Sequence, residues 1–184
     1  MNAAEKPTHI LYFAYGSDLD PKQMAERCAK PEPVAIARLP GHALGFFGHS
    51  KIWDGAQATV VPAEGEDVWG LVYRLTVADM ERLDYQQDAR IDGTGPYFNY
   101  PTEVLDGQGK PFSVLLYKKD ILGESLAPSR PYLERIVTGA ETRGLPKAYV
   151  ETLKAFPSRE PGFEVPRNES LYRSFTSMAC SDCA

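Results

Sequence analysis

The loop Tyr15–Leu19 (YGSDL) carries the residues of this sequence that are best suited to binding a small anionic group. It separates an apolar and aromatic run, typical of a buried strand, from a helix that is predicted to begin at Pro21. Consecutive backbone N–H groups of such a loop can surround a carboxylate or phosphate, and the start of a helix adds positive potential. A Gly-Ser turn before a helix is more often a plain turn, so the loop alone leaves both interpretations open.

Apolar periodicity and turn residues predict the elements that position this loop. His9–Tyr15 predicts a strand, and Asp20 is expected to cap a helix that has Pro21 at its first position and ends near Ala29. Gln23 stands at the capping-box position of that helix. Further along the chain, strands are predicted over residues 34–39, 43–47, 57–61 and 67–75, a short helix over 77–84, a polar loop over 85–96, and a hairpin over 97–105 and 112–117.

The last third of the chain is predicted to form two helices, which are separated by Gly144 and Pro146. Strands followed by helices, with one early helix crossing over, indicate an α+β fold. We expect a mixed, mostly antiparallel sheet that is curled into a barrel with flanking helices. Residues 1–160 are expected to form this domain, and residues 161–184 a C-terminal extension or tail.

Composition narrows the classes of function. A chain of 184 residues with a net charge of −5 has the size of one domain and lacks the basic excess of nucleic-acid-binding proteins. No apolar run is long enough for a membrane span, and no signal peptide is evident, so we expect a cytoplasmic protein. Cys180 and Cys183 form a CxxC pair, but with no further ligands nearby a frayed tail with two chance thiols is favoured over a redox or metal site.

Several motifs resemble those of the gamma-glutamylcyclotransferase family. Tyr12–Leu19 (YFAYGSDL) is similar to the family's YFAYGSNL signature. The likeness covers roughly residues 9–160, and it implies the family's fold and a small γ-glutamyl substrate or ligand. It implies no metal or organic cofactor. The sequence does not fix the oligomeric state, and a homodimer is the commonest default. The other matching segments, in the family's order, are ARL at 37–39, FFG at 46–48, WDG at 53–55, DVWGLVY at 67–73, LD at 83–84 and YLERIVTGAETRGLP at 132–146.

The resemblance implies a specific reaction. In this family the α-amine of a γ-glutamyl group attacks its own γ-carbonyl, 5-oxoproline forms, and an amine or amino acid leaves. The attack is intramolecular, so the substrate itself supplies much of the required orientation. A glutamate of the family carries the proton, and the Tyr-Gly-Ser loop supplies backbone donors. By this resemblance Tyr15, Gly16, Ser17, Asp18 and Leu19 bind the substrate, and Tyr132 is expected either to cover the ligand or to belong to the core.

The sequence departs from the family's pattern at the positions that matter most. Gln87 stands where the family has its catalytic glutamate, Asp88 replaces the following glycine, and Asp18 replaces the loop asparagine. An amide exchanges no proton at neutral pH, so Gln87 is neither a general base nor a general acid. Four explanations remain: a binding module without catalysis, a base at Asp88 or Asp18, different chemistry on a related substrate, or an engineered change at residue 87.

Three expectations follow from these departures. Cyclotransferase activity should be low, and Gln87→Glu should raise it at least about tenfold. Asp18 adds a negative charge beside a loop expected to bind a carboxylate, so it needs a nearby cation or a role at the helix start. His49, Trp53, Tyr97 and Arg38 are at most walls of the pocket.

Overall fold

Five strands close into a barrel within residues 8–90 and 95–167, the part of the chain that the computed structural model describes. The strand order is β1-β3-β2-β4-β5, with β1 pairing to β5 in parallel and all other neighbours antiparallel. The predicted mixed, mostly antiparallel barrel is therefore confirmed. The strands are β1 (His9–Ala14), β2 (Glu32–Ser50), β3 (Gly55–Thr76), β4 (Phe98–Asp106) and β5 (Pro111–Lys118); the helices are α1 (Pro21–Arg27), α2 (Val77–Gln87), α3 (Arg130–Arg143) and α4 (Lys147–Lys154).

The two long strands β2 and β3 correct the prediction of four short strands. Proline and glycine residues within them were expected to end each strand, but the ladder continues past them through register shifts, one of which lies between Pro40 and His42. An extra residue at such a bulge restores the pairing beyond it. The long hairpin ends in the turn that joins Ser50 to Gly55, and this turn stands beside the candidate site.

Helix α1 begins as predicted and packs behind the loop after β1. Asp20 caps it, because its carboxylate accepts a hydrogen bond from the backbone N–H of Lys22 at 2.9 Å, and Pro21 is the first helical residue. The capping-box role predicted for Gln23 is wrong. Its side-chain amide turns to the preceding loop and donates to Ser17 Oγ at 2.9 Å.

Helix α2 continues three residues beyond the predicted end, so residues 85–87 are helical and were wrongly placed in a loop. It ends at Asp88, whose left-handed backbone (φ 50°) forms the C-cap. Helices commonly end on such a residue, which is usually glycine. In the family's pattern a glycine stands at this position, and the left-handed backbone explains why glycine is favoured there. Aspartate is among the residues that tolerate the same conformation.

The two late helices form where they were predicted. Gly144 ends α3 with a φ of 73°, and α4 follows directly. Leu133, Ile136 and Ala140 are the apolar stripe by which α3 packs against the barrel. The same helix contacts the single-turn 3-10 helix Ser17–Leu19, so α3 supports the loop from behind.

The segment after α4 returns to the barrel within the described residues. The backbone N–H of Gly162 donates to Asp54, and that of Arg167 donates to the carbonyl of Ile52 at 3.0 Å. Cys180 and Cys183 lie outside the described residues. In the described part of the chain, no helix is both long and apolar enough to cross a membrane, and no group of three or more His, Cys, Asp or Glu residues could hold a metal ion.

A buried carboxylate joins α1 to α2. Asp79 is 1% exposed and accepts hydrogen bonds from the backbone N–H of Ala29 at 2.7 Å and from the hydroxyl of Thr76 at 3.0 Å. Burial alone would raise the pKa of Asp79, but the donors of Ala29, Thr76 and Lys30 outweigh it and hold the pKa below its usual range. Ionised Asp79 therefore stabilises the folded state.

We expect Asp79→Asn to lower the free energy of unfolding at pH 7 by about 1–3 kcal/mol, because a buried charged acceptor is lost. A lowered pKa in the folded state stabilises fully above the ordinary aspartate pKa of about 3.9 and less as the pH falls toward the lowered value. The difference between parent and variant should therefore shrink below about pH 4. Denaturant unfolding from pH 3 to 7 measures it.

Asp67→Asn is the matched control for that comparison. Asp67 forms a partly exposed ion pair with Arg38 at 2.9 Å, and such pairs contribute at most about 1 kcal/mol. An Asp79→Asn loss no larger than that of Asp67→Asn would contradict the structural role assigned to Asp79.

Candidate active site

A small buried pocket lies beside the loop after β1, at one end of the barrel. Its volume is about 20 Å³, which is room for a single group the size of a water molecule. Four of the five predicted loop residues, all but Leu19, line it together with Gln87. We call it the inner pocket; its remaining lining residues are Tyr12, Ala58, Tyr97, Tyr117 and Tyr132.

Asp18 is the acidic residue among those that line the inner pocket, and it is 2% exposed. Its Oδ1 accepts hydrogen bonds from Gln23 at 2.8 Å and from Arg27 at 2.9 Å. Its Oδ2 accepts from the hydroxyl of Tyr12 at 2.7 Å and from Gln87 Nε2 at 3.2 Å. Arg27 is the cation that the sequence required beside this charge. The four donors occupy about all the acceptor positions of a carboxylate.

The two α1 residues that hold Asp18 were missed at the sequence level. Gln23 and Arg27 are four positions apart, so they lie on one face of α1, and that face points at the preceding loop. The signal available in the sequence was a polar and a charged residue four positions apart, directly after a candidate binding loop. Arg135 of α3 extends the network by donating to Gln23 Oε1 at 3.3 Å.

The phenols around the inner pocket remain neutral. Burial, reinforced by the charge of Asp18, raises the pKa of Tyr12, Tyr15 and Tyr97 well above the ordinary value. Burial also raises the pKa of Tyr132 to about 12. At neutral pH these tyrosines are hydrogen-bonding groups, whereas the charge in the pocket belongs to Asp18.

Gln87 and Asp88 end α2 at the mouth of this pocket, but they differ in surroundings. Gln87 faces inward and contacts Asp18, whereas the Asp88 side chain is 43% exposed and pairs with Arg90 at 3.1 Å. Asp84, one turn earlier, accepts from the hydroxyl of Tyr117 at 2.7 Å. Asp84 thereby anchors α2 to the barrel, and this contact places Gln87 beside the loop.

A larger cleft of about 790 Å³ opens outward from the inner pocket. Ser17, Gln87 and Tyr132 line both, so the two spaces are joined at these residues. The far wall of the cleft is the β2–β3 turn, including His49 and Trp53. A ligand can therefore place a small charged end in the inner pocket and the rest of the molecule in the cleft.

Tyr132 and Leu19 differ in how they relate to these spaces. The Tyr132 hydroxyl lines the inner pocket and accepts from the backbone N–H of Ala58 at 3.3 Å, while its ring packs on Trp53 at a centroid distance of 5.0 Å. Tyr132 is therefore a core residue that also lines the pocket, and its role in covering a ligand stays a prediction. Leu19 is fully buried beside α3 and lines neither space, so its side chain supports the loop, and its role in substrate binding stays a prediction.

Three of the four residues predicted as pocket walls line one of the two spaces, and the fourth lines neither. Tyr97 lines the inner pocket and donates its hydroxyl to the carbonyl of Ala58 at 2.7 Å. His49 and Trp53 line the outer cleft. Arg38 pairs with Asp67 and does not contribute to either space.

Comparison with known proteins identifies the family. A gamma-glutamylcyclotransferase of Mus musculus is 32% identical over 163 residues, which cover 86% of this chain and 85% of the mouse protein. The Homo sapiens gamma-glutamylcyclotransferase is 33% identical over 150 residues, covering 79% and 78% respectively. The chain belongs to the gamma-glutamylcyclotransferase family. A solved structure of a gamma-glutamyl cyclotransferase superposes with a TM-score of 0.79 at 30% identity, covering 92% of this chain and 99% of the other.

A match to the AIG2-like family model spans residues 67–153. That span runs from within β3 to α4 and includes Gln87, but it leaves out the loop Tyr15–Leu19. Two segments that match the family and lie far apart in the sequence meet at the inner pocket. The loop after β1 supplies Asp18, and the end of α2 supplies Gln87, 69 positions away.

Proposed function

We propose that the protein binds a γ-glutamyl amine or amino acid in the inner pocket and cleft, and converts it slowly to 5-oxoproline with Asp18 as the proton acceptor. The contact that supports this is the 3.2 Å hydrogen bond between Gln87 Nε2 and Asp18 Oδ2. By the family resemblance, position 87 holds a carboxylate and position 18 an amide. In this chain the amide is at position 87 and the carboxylate at position 18, and the two side chains are in contact.

The size of the inner pocket suits the reacting end of such a substrate. An α-ammonium group is about as large as a water molecule, and the volume of about 20 Å³ admits one. Asp18 supplies the opposite charge at the pocket wall. The backbone of Gly16 and Ser17 lies beside it, where the resemblance places donors for the substrate's oxygens.

Asp18 must lose one of its present hydrogen bonds before it can accept a proton from the substrate. Its four acceptor positions are taken, and the Gln87 contact at 3.2 Å is the longest of the four. A substrate ammonium that displaces the Gln87 amide would donate to Oδ2 and pass its proton there. Because Asp18 must first give up a hydrogen bond and also stays paired with Arg27 at 2.9 Å, we expect slow turnover.

The same ion pair favours a second candidate, a binding protein without catalysis. Arg27 and Asp18 form a 2.9 Å pair whose side chains are 15% and 3% exposed, which is an arrangement typical of structural anchoring. In that case the pocket would hold a γ-glutamyl compound without turning it over.

Release of 5-oxoproline from γ-glutamyl-alanine tests the proposal. We expect slow release by the parent and a loss of at least about tenfold in Asp18→Asn, since the proton acceptor is removed. Calorimetric titration with the same compound measures binding separately, and denaturant unfolding checks that the variant folds although Arg27 has lost its partner.

Three other results of these measurements would change the proposed function or the proposed base. Binding without any 5-oxoproline would select the second candidate. A loss in Asp88→Asn that Asp18→Asn does not show would move the base to Asp88. Neither binding nor release would overturn the proposal for this ligand class.

A further inference from the structure

The cleft contains a histidine that is held in place by a carboxylate. His49 Nε2 lies 3.0 Å from Asp54 Oδ1, at the β2–β3 turn. Asp54 is itself fixed, because the backbone N–H of Gly162 donates to its Oδ2 at 2.6 Å and Arg159 lies 3.7 Å away. The Asp54 side chain is 12% exposed, whereas that of His49 is 45% exposed and lines the cleft.

This arrangement sets which ring nitrogen of His49 faces a ligand. The Gly162 amide and His49 hold the pKa of Asp54 below its usual range, so its carboxylate is ionised and can only accept a hydrogen bond. Nε2 of His49 therefore carries a proton in both charge states of the ring, and Nδ1 carries one only in the imidazolium. Nδ1 has no hydrogen-bond partner among the described residues and is left for a ligand in the cleft.

We infer that His49 is the proton donor to the departing amine, with Asp54 as its positioning residue. This inference rests on the proposed function. With the ammonium end in the inner pocket, the amine half of the substrate lies in the outer cleft, and His49 lines only the latter of these two spaces. In the family one glutamate carries the proton; Gln87 carries none, so a second group must serve the leaving nitrogen.

The proton balance of the reaction accommodates this role. A bond forms between the α-nitrogen and the γ-carbonyl carbon, and the bond from that carbon to the leaving nitrogen breaks. The α-ammonium gives up two protons, one to Asp18 and one to solvent, as it becomes the lactam N–H. The imidazolium of His49 gives one proton to the leaving nitrogen, and the free amine takes a second from water. His49 is then reprotonated from solvent, and Asp18 returns its proton.

Several other charged groups line or approach the cleft near His49. Asp88 and Arg90 stand across the cleft at the end of α2, and Lys51 lies on the turn itself. Arg159 approaches from the C-terminal segment, and Lys119 Nζ lies near Gly48, next to His49. His49 is the imidazole among the described residues that line the cleft, and imidazole is the commonest group that transfers protons in enzymes.

The test compares two leaving groups. γ-Glutamyl-alanine releases a strongly basic amine that needs a proton as it departs, whereas γ-glutamyl-p-nitroanilide releases a weakly basic one that needs it far less. We expect His49→Gln to lose at least about tenfold in kcat/KM on the first substrate and less than about threefold on the second.

Two further variants make the result specific. His42→Gln is the matched control, because His42 is half-buried on the same strand, lines neither the cleft nor the inner pocket, and has its Nδ1 2.9 Å from the carbonyl oxygen of Pro40. It should match the parent on both substrates. Asp54→Asn keeps a residue that tolerates the observed φ of 48°, and it should show a smaller loss than His49→Gln with the same preference for the p-nitroanilide.

The outcomes separate the two proposals. Equal losses of His49→Gln on both substrates would overturn the role of His49 while leaving the proposed function standing. If the parent protein releases 5-oxoproline from neither substrate, the proposed function is overturned, and this inference is overturned with it.

Discussion

The double variant Asp18→Asn/Gln87→Glu is expected to release 5-oxoproline from γ-glutamyl-alanine at least about 100-fold faster than the parent. It places the carboxylate and the amide as the family resemblance has them, across the same 3.2 Å contact. General acid–base catalysis contributes about 10²–10⁴-fold, so restoring a free base should recover at least the lower part of that range. Steady-state assays of parent, both single variants and the double variant measure the effect.

The single variants should behave differently because the two positions touch. Gln87→Glu alone puts a second carboxylate beside Asp18, and like charges at this distance compete for one proton. We expect about a tenfold gain from it, as the sequence alone predicts, and a further gain of about tenfold when Asp18→Asn is added. The double variant also keeps the net charge of the site, so Arg27 retains an anion within the cleft.

Gln86→Glu is the matched control for this series. It introduces the same charge one residue earlier on α2, at a side chain that lines the cleft but not the inner pocket. It should stay within about twofold of the parent, because general acid–base catalysis needs the group in contact with the reacting proton. A double variant that gains no more than Gln87→Glu alone would show that Asp18 and residue 87 are not coupled in catalysis.

Local signals were enough to predict the unit that carries the loop. The apolar run of β1, the Asp20 cap and Pro21 each act over a few residues, and all three are found where the sequence placed them. The length of β2 and β3 was not predictable in this way. Whether a strand ends at Pro40 depends on the partner strand, which continues the ladder beyond the bulge.

Some contacts of the site could likewise be predicted from local sequence spacing, and others could not. Gln23 and Arg27 were within reach of sequence reasoning, since a four-residue spacing on α1 puts both beside Asp18. The contact between Asp18 and Gln87 was not, because they are 69 positions apart and no periodicity relates them. His49 likewise gains its partner only through the turn at Asp54, whose left-handed backbone directs the carboxylate toward it.

The loop also depends on a close approach of α3, at Gly139. A Cβ atom at this position would lie 2.7 Å from the backbone nitrogen of Asp20 and 2.7 Å from the carbonyl carbon of Leu19. Both are backbone atoms that cannot rotate away. The absence of a side chain at Gly139 therefore allows α3 to press directly against the end of the loop that carries Ser17 and Asp18.

We expect Gly139→Ala to lower the free energy of unfolding by about 3 kcal/mol, the upper end of the range for overpacking, because the backbone itself must move. Alanine normally stabilises a helix by about 1 kcal/mol relative to glycine, so the sign of the change is diagnostic. Displacing Leu19 and Asp20 should also shift Asp18, so γ-glutamyl-alanine binding should weaken in parallel. Denaturant unfolding and calorimetric titration measure the two effects.

Gly107→Ala is the control for this last comparison. Gly107 lies in the β4–β5 turn, where an added Cβ would meet nothing within 4 Å. Its replacement should change the free energy of unfolding by less than about 0.5 kcal/mol, as for surface sites without special contacts, and leave binding unchanged. If Gly139→Ala were as stable as Gly107→Ala, α3 could retreat from the loop at little cost. The position of Asp18 would then have to be set by its four hydrogen-bond donors and not by the contact with α3.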